Sequence, residues 1–176
     1  MNSDDQINRV DRIRSALGTY EGDLLRYARK ITGDLGRAQD VVQETFLRLC
    51  KQNLDALDGH MAEWLFTVCR NKALDVRRKE SRMSTMAETN YLEENRDSAE
   101  PSKALEIEDE TMKVMTHLEN LPDNQQEVIR LKFQNGLKYK EISTVTGLSV
   151  SNVGFLIHRG LKTLREKLRK ELAADL

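Results

Sequence analysis

Aromatic residues make up only 5% of this 176-residue chain, and there are only two prolines. Strands draw on aromatic and β-branched side chains, whereas Leu, Arg, Lys, Glu and Ala abound here, so the scarcity favours an all-helical protein over a sheet protein. Cysteine is equally sparse. Cys50 and Cys69 lie far apart in apolar-periodic segments, a usage that fits buried free thiols in a reducing compartment rather than a disulfide or a metal site. His60, His117 and His158 are too scattered to form a ligand set, so no metal or other cofactor is expected. Long apolar runs are missing too: none approaches the ~20 residues that span a bilayer. The opening MNSDDQINRV lacks the core of a signal peptide, which makes the cytoplasm the expected location, without direct membrane insertion. Nor is there a nucleophile paired with a base, a phosphate loop or a metal-ligand spacing, and an enzyme is therefore not expected.

The length suits one ordinary domain or two small ones, each of the latter with a thin core that leans on good helix packing. Net charge is −1, but its distribution is uneven. Arg70 to Arg82 holds six basic and two acidic residues, a net +4; Met86 to Glu110 holds two basic and nine acidic, a net −7; His158 to Lys170 holds six basic and one acidic, a net +5. Two basic patches around an acidic middle are the footprint of a chain that touches a polyanion at two places, or else two solvated helix faces.

Helical periodicity accounts for most of the rest. Ile13, Leu17, Leu24, Leu25, Ala28 and Ile31 recur at helical intervals from about Gln6 to Thr32, with Gly33 as a stop. Asp34 suits the N-cap of a second helix to about Lys51, whose apolar side carries Leu35, Ala38, Val41, Val42, Phe46 and Leu49. QNLDALDGH is a loop, and a third helix follows from about Met61 to Lys79. From Glu80 to Pro101 the pattern dissolves into a polar, acidic linker, with a transient helix around Asn90 to Asn95; by charge sign it also suits a segment that covers a basic patch. Beyond it come a helix through Met112, Met115 and Leu118, then LPDNQQEVIRLKF with Pro122 in a first turn and Val128, Ile129, Leu131 and Phe133 as core. A turn at Asn135 and Gly136 precedes the short helix YKEISTVTG, closed by Gly147, and Ser149 caps a last long helix.

Two helices joined by a three- or four-residue turn with a glycine form a helix-turn-helix, in which the first helix braces the second across the major groove of DNA. The second helix carries an apolar quartet, Gly154 to Ile157, where a reading helix should be polar. At about 100° per residue, Val150, Val153, Ile157, Leu161, Leu164 and Leu168 share a core face. Gly154 and Gly160 lie at its two edges, Leu156 lies on the boundary, and Phe155 falls beside Ser151, Asn152, His158, Arg159 and Lys162. An aromatic ring there can pack on a thymine methyl group or on another protein surface, while Arg159 and Lys162 reach phosphates or guanine edges.

AQDVVQETFLRL, AEWLFTVCRNKALDVRRK, a linker, LPDNQQEVIRLKF and the helix-turn-helix, in this order and spacing, resemble the extracytoplasmic-function sigma factors, the smallest two-domain members of the bacterial sigma superfamily. The resemblance covers nearly all of the chain outside Glu80 to Pro101. It implies an all-α chain in which residues 1–80 form a domain like sigma region 2, 81–103 a linker, and 104–176 a helix-turn-helix domain like sigma region 4. It further implies that Asp40, Gln43, Glu44, Phe46 and Leu47 dock on the clamp helices of core RNA polymerase, with Phe46 available to the core instead. The third helix and the loop Asn53 to His60 would bind the non-template strand of the promoter minus-ten element and capture a flipped base. His60, Trp64, Arg70, Asn71, Lys72, Arg77 and Arg78 are the residues placed to do so, with Trp64 suited to stacking or to the core. Such strand opening needs cations for the phosphates and a pocket that replaces lost stacking. Ser149, Ser151, Asn152, Phe155, His158, Arg159 and Lys162 would read the minus-thirty-five element as duplex. The family usually has a Lys or Arg and a Ser where this chain has Gly154, Phe155 and Leu156, so a relative's promoter sequence does not carry over. Expected partners are core RNA polymerase, promoter DNA and an anti-sigma factor. The alternative from another class is a dimeric helix-turn-helix regulator with a helical sensory front domain, which would bind a palindrome unaided.

Overall fold

The computed structural model describes residues 3–86 and 107–174. Seven α-helices, one 3₁₀ turn and no strand occur among them. The chain divides into two units, residues 1–95 and 96–176. The transient helix expected at Asn90 to Asn95 lies outside the described residues.

In the first unit α1 (Ser3–Thr32), α2 (Leu35–Leu49) and α3 (Met61–Met86) pack pairwise against one another. Gly33 reverses the chain at φ +73°, and Asp34 Oδ1 accepts a hydrogen bond from the Arg37 amide at 2.8 Å, so the turn and cap that start α2 are both local. The core is the predicted stripe of α2, Ala38, Val41, Val42 and Leu49, set against Leu24 and Ala28 of α1 and Leu65, Phe66 and Cys69 of α3. Tyr27 meets the Phe66 ring edge-on at 5.3 Å between centroids. Thr45 is also buried, its hydroxyl donating to the Val41 carbonyl at 2.8 Å.

Three expectations change here. Helix α3 runs on past Lys79 to Met86, and Arg37 Nε on α2 meets Glu80 Oε1 at 2.5 Å just where the apolar pattern fades. Cys69 is buried but Cys50 is exposed, because it stands at the C-cap of α2 after the helix has left its neighbours. Leu35, in phase with the α2 stripe, is 43% exposed.

In the second unit α7 (Val150–Ala174) packs against α4 (Ile107–Glu119), α5 (Asp123–Phe133) and α6 (Tyr139–Thr146). Val128, Ile129, Leu131, Leu137, Ile142, Val153 and Ile157 form its core. Pro122 sits at the N-cap of α5, one residue before the helix proper, and the Gln126 side chain donates to the Leu121 carbonyl at 2.8 Å to close the corner. Phe133 ends α5 and is 59% exposed rather than core, and Val150, which opens α7, is exposed as well. Leu156, expected on the boundary, is buried because three helices surround α7 and widen its buried arc. Gly160 is at the closest approach: a Cβ there would lie 2.5 Å from Ile129 Cδ1.

Candidate nucleic-acid and partner interfaces

Burying Ala38, Val41, Val42, Thr45 and Leu49 leaves α2 one outward face. Asp40 and Gln43 are exposed on it, Leu47 is 51% exposed, and Glu44 is half-buried. Arg48 Nε donates to Glu44 Oε1 at 3.0 Å, one turn along the helix. That hydrogen bond, aided by Lys72, holds the Glu44 carboxyl below its usual range. Phe46 does not join this surface by exposure; it is buried with the core, though its edge lines a groove. The groove, of about 320 Å³, is lined by Ile13, Leu17, Leu25, Val42, Phe46 and Leu47, with Glu21, Gln39, Gln43 and Cys50 also on its wall. An apolar floor with polar groups along the wall suits one face of an amphipathic helix.

On the other side of α2 lies a cationic cleft. Arg48 of α2 and Lys72, Arg78, Lys79 and Arg82 of α3 line a cavity of about 210 Å³ together with Asp75 and Val76. The lining holds five cations and one carboxylate; Arg78 Nη1 lies 3.4 Å from Asp75 Oδ1 and Arg48 is bonded to Glu44, and the remaining positive excess suits an anion that carries charge along a line, such as a nucleic-acid backbone. Of the α3 residues expected to meet DNA, Lys72 and Arg78 line the cleft. Asn71 and Arg77 are exposed but outside its lining, and Arg70 and Trp64 are half-buried. His60 is exposed at the end of the preceding loop, its Nδ1 3.4 Å from Glu63 Oε2.

Arg48, Lys79 and Arg82 complete the cleft but were not among the expected site residues. The signal for Lys79 and Arg82 was the basic run itself; ending α3 at Lys79 removed Arg82 from the helix. Arg48 had no comparable signal, because its pairing with the α3 cations is a contact between helices.

The helix-turn-helix is locally built. Lys138 N donates to Glu141 Oε2 at 2.6 Å to start α6. Gly147 closes the helix at φ +75°, a left-handed backbone that a side chain would strain. Ser143 Oγ then donates to the Leu148 carbonyl at 2.6 Å, and Ser149 Oγ accepts from the Asn152 amide at 3.2 Å to cap α7. All seven expected residues, Ser149, Ser151, Asn152, Phe155, His158, Arg159 and Lys162, are exposed. Phe155 is 56% exposed, and the Arg159 guanidinium carbon lies 6.0 Å from its ring centroid. Beside it Gly154 leaves room for the Tyr139 ring, which a Cβ would meet at 3.5 Å, and Lys132 Nζ lies 5.5 Å from that ring's centroid. The surface around the start of α7 thus combines capping polar groups with two aromatic rings, Phe155 of α7 and Tyr139 of α6, each with a cation near its face.

A two-unit helical chain with a cationic cleft in one unit and an exposed helix-turn-helix face in the other is the layout of a DNA-binding transcription factor. Similarity to known proteins narrows the class. Residues 17–83 match the family model of sigma-70 region 2 and residues 111–164 that of sigma-70 region 4. The chain is 29% identical over 147 residues to the ECF RNA polymerase sigma factor SigM of Bacillus subtilis, spanning 83% of this chain and 88% of the relative. It is 27% identical over 168 residues to the ECF RNA polymerase sigma factor EcfG of Rhodopseudomonas palustris, spanning 94% and 90%. The solved sigma factor RpoE from Bartonella quintana, in complex with the anti-sigma factor NepR, has a similar fold, with a TM-score of 0.63 at 21% identity over 89% of this chain and 96% of that one. This chain belongs to the extracytoplasmic-function sigma factors of RNA polymerase. It is a transcription initiation factor rather than a stand-alone dimeric regulator. No helix among the described residues is long and apolar enough to cross a membrane.

Proposed function

We propose that the outward face of α2, with Asp40, Gln43, Glu44 and Leu47 above the apolar groove, docks on the clamp helices of core RNA polymerase. The cleft between α2 and α3 receives the non-template strand of the minus-ten element, with Lys72 and Arg78 joined by Arg48, Lys79 and Arg82 on its phosphates. Asn71, Arg77 and the loop 53–60 serve base contacts beside it. Helix α7 reads the minus-thirty-five element from Ser149, Ser151, Asn152, Phe155, His158, Arg159 and Lys162. This assigns core binding and minus-ten melting to residues 1–80, extended by the α3 turns that carry Arg82, and upstream recognition to residues 104–176, with 81–103 between them. Catalysis stays in the polymerase, and the chain acts in the cytoplasm.

The five-cation cleft carries the strand assignment: Arg48 and Arg78 are paired with Glu44 and Asp75, yet the lining keeps an excess of positive charge that the phosphates of a strand would neutralise. An anti-sigma factor is a further partner. Two solved structures of similar fold support it, the RpoE complex with NepR and CnrH in complex with the cytosolic domain of CnrY, the latter at a TM-score of 0.54 and 24% identity.

In vitro transcription with core polymerase over a randomised promoter library tests the whole reading. Transcripts should start from templates sharing two spaced elements. Changing Asp40 and Gln43 together to Ala should weaken holoenzyme assembly without lowering the melting temperature. Full assembly by that variant would remove the docking assignment.

A further inference from the structure

Helix α1 has no part in the DNA contacts above, yet two of its arginines reach the loop that joins α2 to α3. Arg12 Nη1 donates to Asp55 Oδ1 at 2.6 Å, and Arg12 Nη2 donates both to Asp58 Oδ1 at 2.5 Å and to the Leu54 carbonyl at 2.8 Å. One turn earlier, Arg9 Nη2 donates to the carbonyls of Cys50 and Gln52, the latter at 2.9 Å. The Arg12 side chain is only 29% exposed, whereas those of Asp55 and Asp58 are 84% and 74% exposed. The planar guanidinium thus reaches up from the side of the unit and holds three acceptors of one loop in a fixed fork. Leu54 and Leu57 anchor the same loop from below, which leaves Asn53, Ala56, Gly59 and His60 facing out.

We infer that Arg12, seconded by Arg9, is a positioning residue for base capture: it pre-forms loop 53–60 before DNA arrives. The inference rests on the proposed role of that loop in taking a flipped base. A loop ordered only on binding would lose part of the stacking energy to the entropy of its own ordering, and a pre-formed one keeps it. Arg12 also neutralises two carboxylates that would otherwise stand in the path of a polyanion. Pre-forming and neutralisation differ in what Asp55→Ala with Asp58→Ala does: that pair removes the negative charge and the two carboxylate acceptors of the fork together. If shape is what matters, the double variant behaves like Arg12→Ala; if charge alone matters, it behaves like the wild type.

The test uses holoenzyme on a premelted promoter drawn from the selected library, with single abasic substitutions scanned along the non-template strand of the minus-ten element. The wild type should lose on the order of tenfold in affinity at one position, the captured base. In Arg12→Ala, and in the doubly substituted Asp55→Ala, Asp58→Ala protein, the loss at that position should shrink to about twofold or less, the scatter expected of uncoupled sites. A merely structural role for Arg12 would weaken binding uniformly and keep the position-specific loss, and that result would overturn the inference. So would a double variant that keeps the wild-type profile. A wild type with no sensitive position would instead overturn the reading of the loop as a base-capturing element.

Discussion

Phe155 has a side chain that core packing would bury and a place on α7 that leaves it in solvent under the Arg159 guanidinium. Replacing it with Ala should leave the melting temperature within about 2 °C of the wild type, as for other surface substitutions. The same change should alter the preferred minus-thirty-five sequence by about 1–3 kcal/mol of discrimination at one base pair. Selection from a promoter library measures this, and an unfolded variant would show that the ring is core after all. The cysteines divide in the opposite sense. Burial pushes the Cys69 thiol up to about 12, whereas Cys50 is exposed at the end of α2. Iodoacetamide followed by mass spectrometry should modify Cys50 in the folded protein and Cys69 only after denaturation. The raised value means that the protonated thiol is favoured in the fold, so its stabilising contribution is intact below the unfolded thiol's range near 9 and fades as pH rises through about 12. Chemical denaturation at about pH 8 and about pH 10.5 should give a lower midpoint at the higher pH, and a Cys69→Ala protein should show less of that fall.

At the scale of elements, the two glycines of α7 separate helix propensity from packing. Both are helical, so Ala should gain up to about 1 kcal/mol from the backbone at either. At Gly154 the new methyl group meets Tyr139 at 3.5 Å, an ordinary contact, and the gain should survive. At Gly160 it meets Ile129 at 2.5 Å and Leu121 at 3.4 Å, both buried, and overpacking of about 1–3 kcal/mol should reverse the sign. Thermal melts that move alike for Gly154→Ala and Gly160→Ala would refute this packing of α7 on α5. Helix ends explain most of what periodicity placed wrongly. Leu35 and Val150 each open a helix and Phe133 closes one, and all three are exposed although their angles point inward. A correct angle buries a side chain only where a neighbouring helix covers that turn. The end of α3 failed for a related reason: at Glu80, where the apolar period runs out, the contact with α2 is an ion pair to Arg37, which leaves no apolar period to detect.

For the whole molecule, a net charge of −1 conceals what each surface offers to DNA. The cleft of the first unit concentrates five cations, and the exposed face of α7 adds Arg159 and Lys162. Promoter binding by the holoenzyme should therefore weaken steeply with salt. Replacing Arg48 or Arg82 with Ala should lower the slope of log affinity against log salt by about 1 each, because one phosphate fewer is then neutralised. An unchanged slope in both variants would take the cleft out of the DNA path.

Class, order of motifs and the outward faces of α2 and α7 were legible from sequence alone, because helix periodicity, caps and turns depend on residues within a few positions of one another. The capping Asp34 and Ser149, the closing Gly147 and the outward Phe155 are all of that kind. Tertiary structure alone decided what depends on helices meeting. It brought Arg48 to the α3 cations, buried Phe46 and Leu156, exposed Cys50, and set Arg12 of α1 against Asp55 and Asp58 of a loop that lies beyond α2 in the chain. Charge and burial at such places are set by the partner surface, and a chain read along its length does not contain that distance.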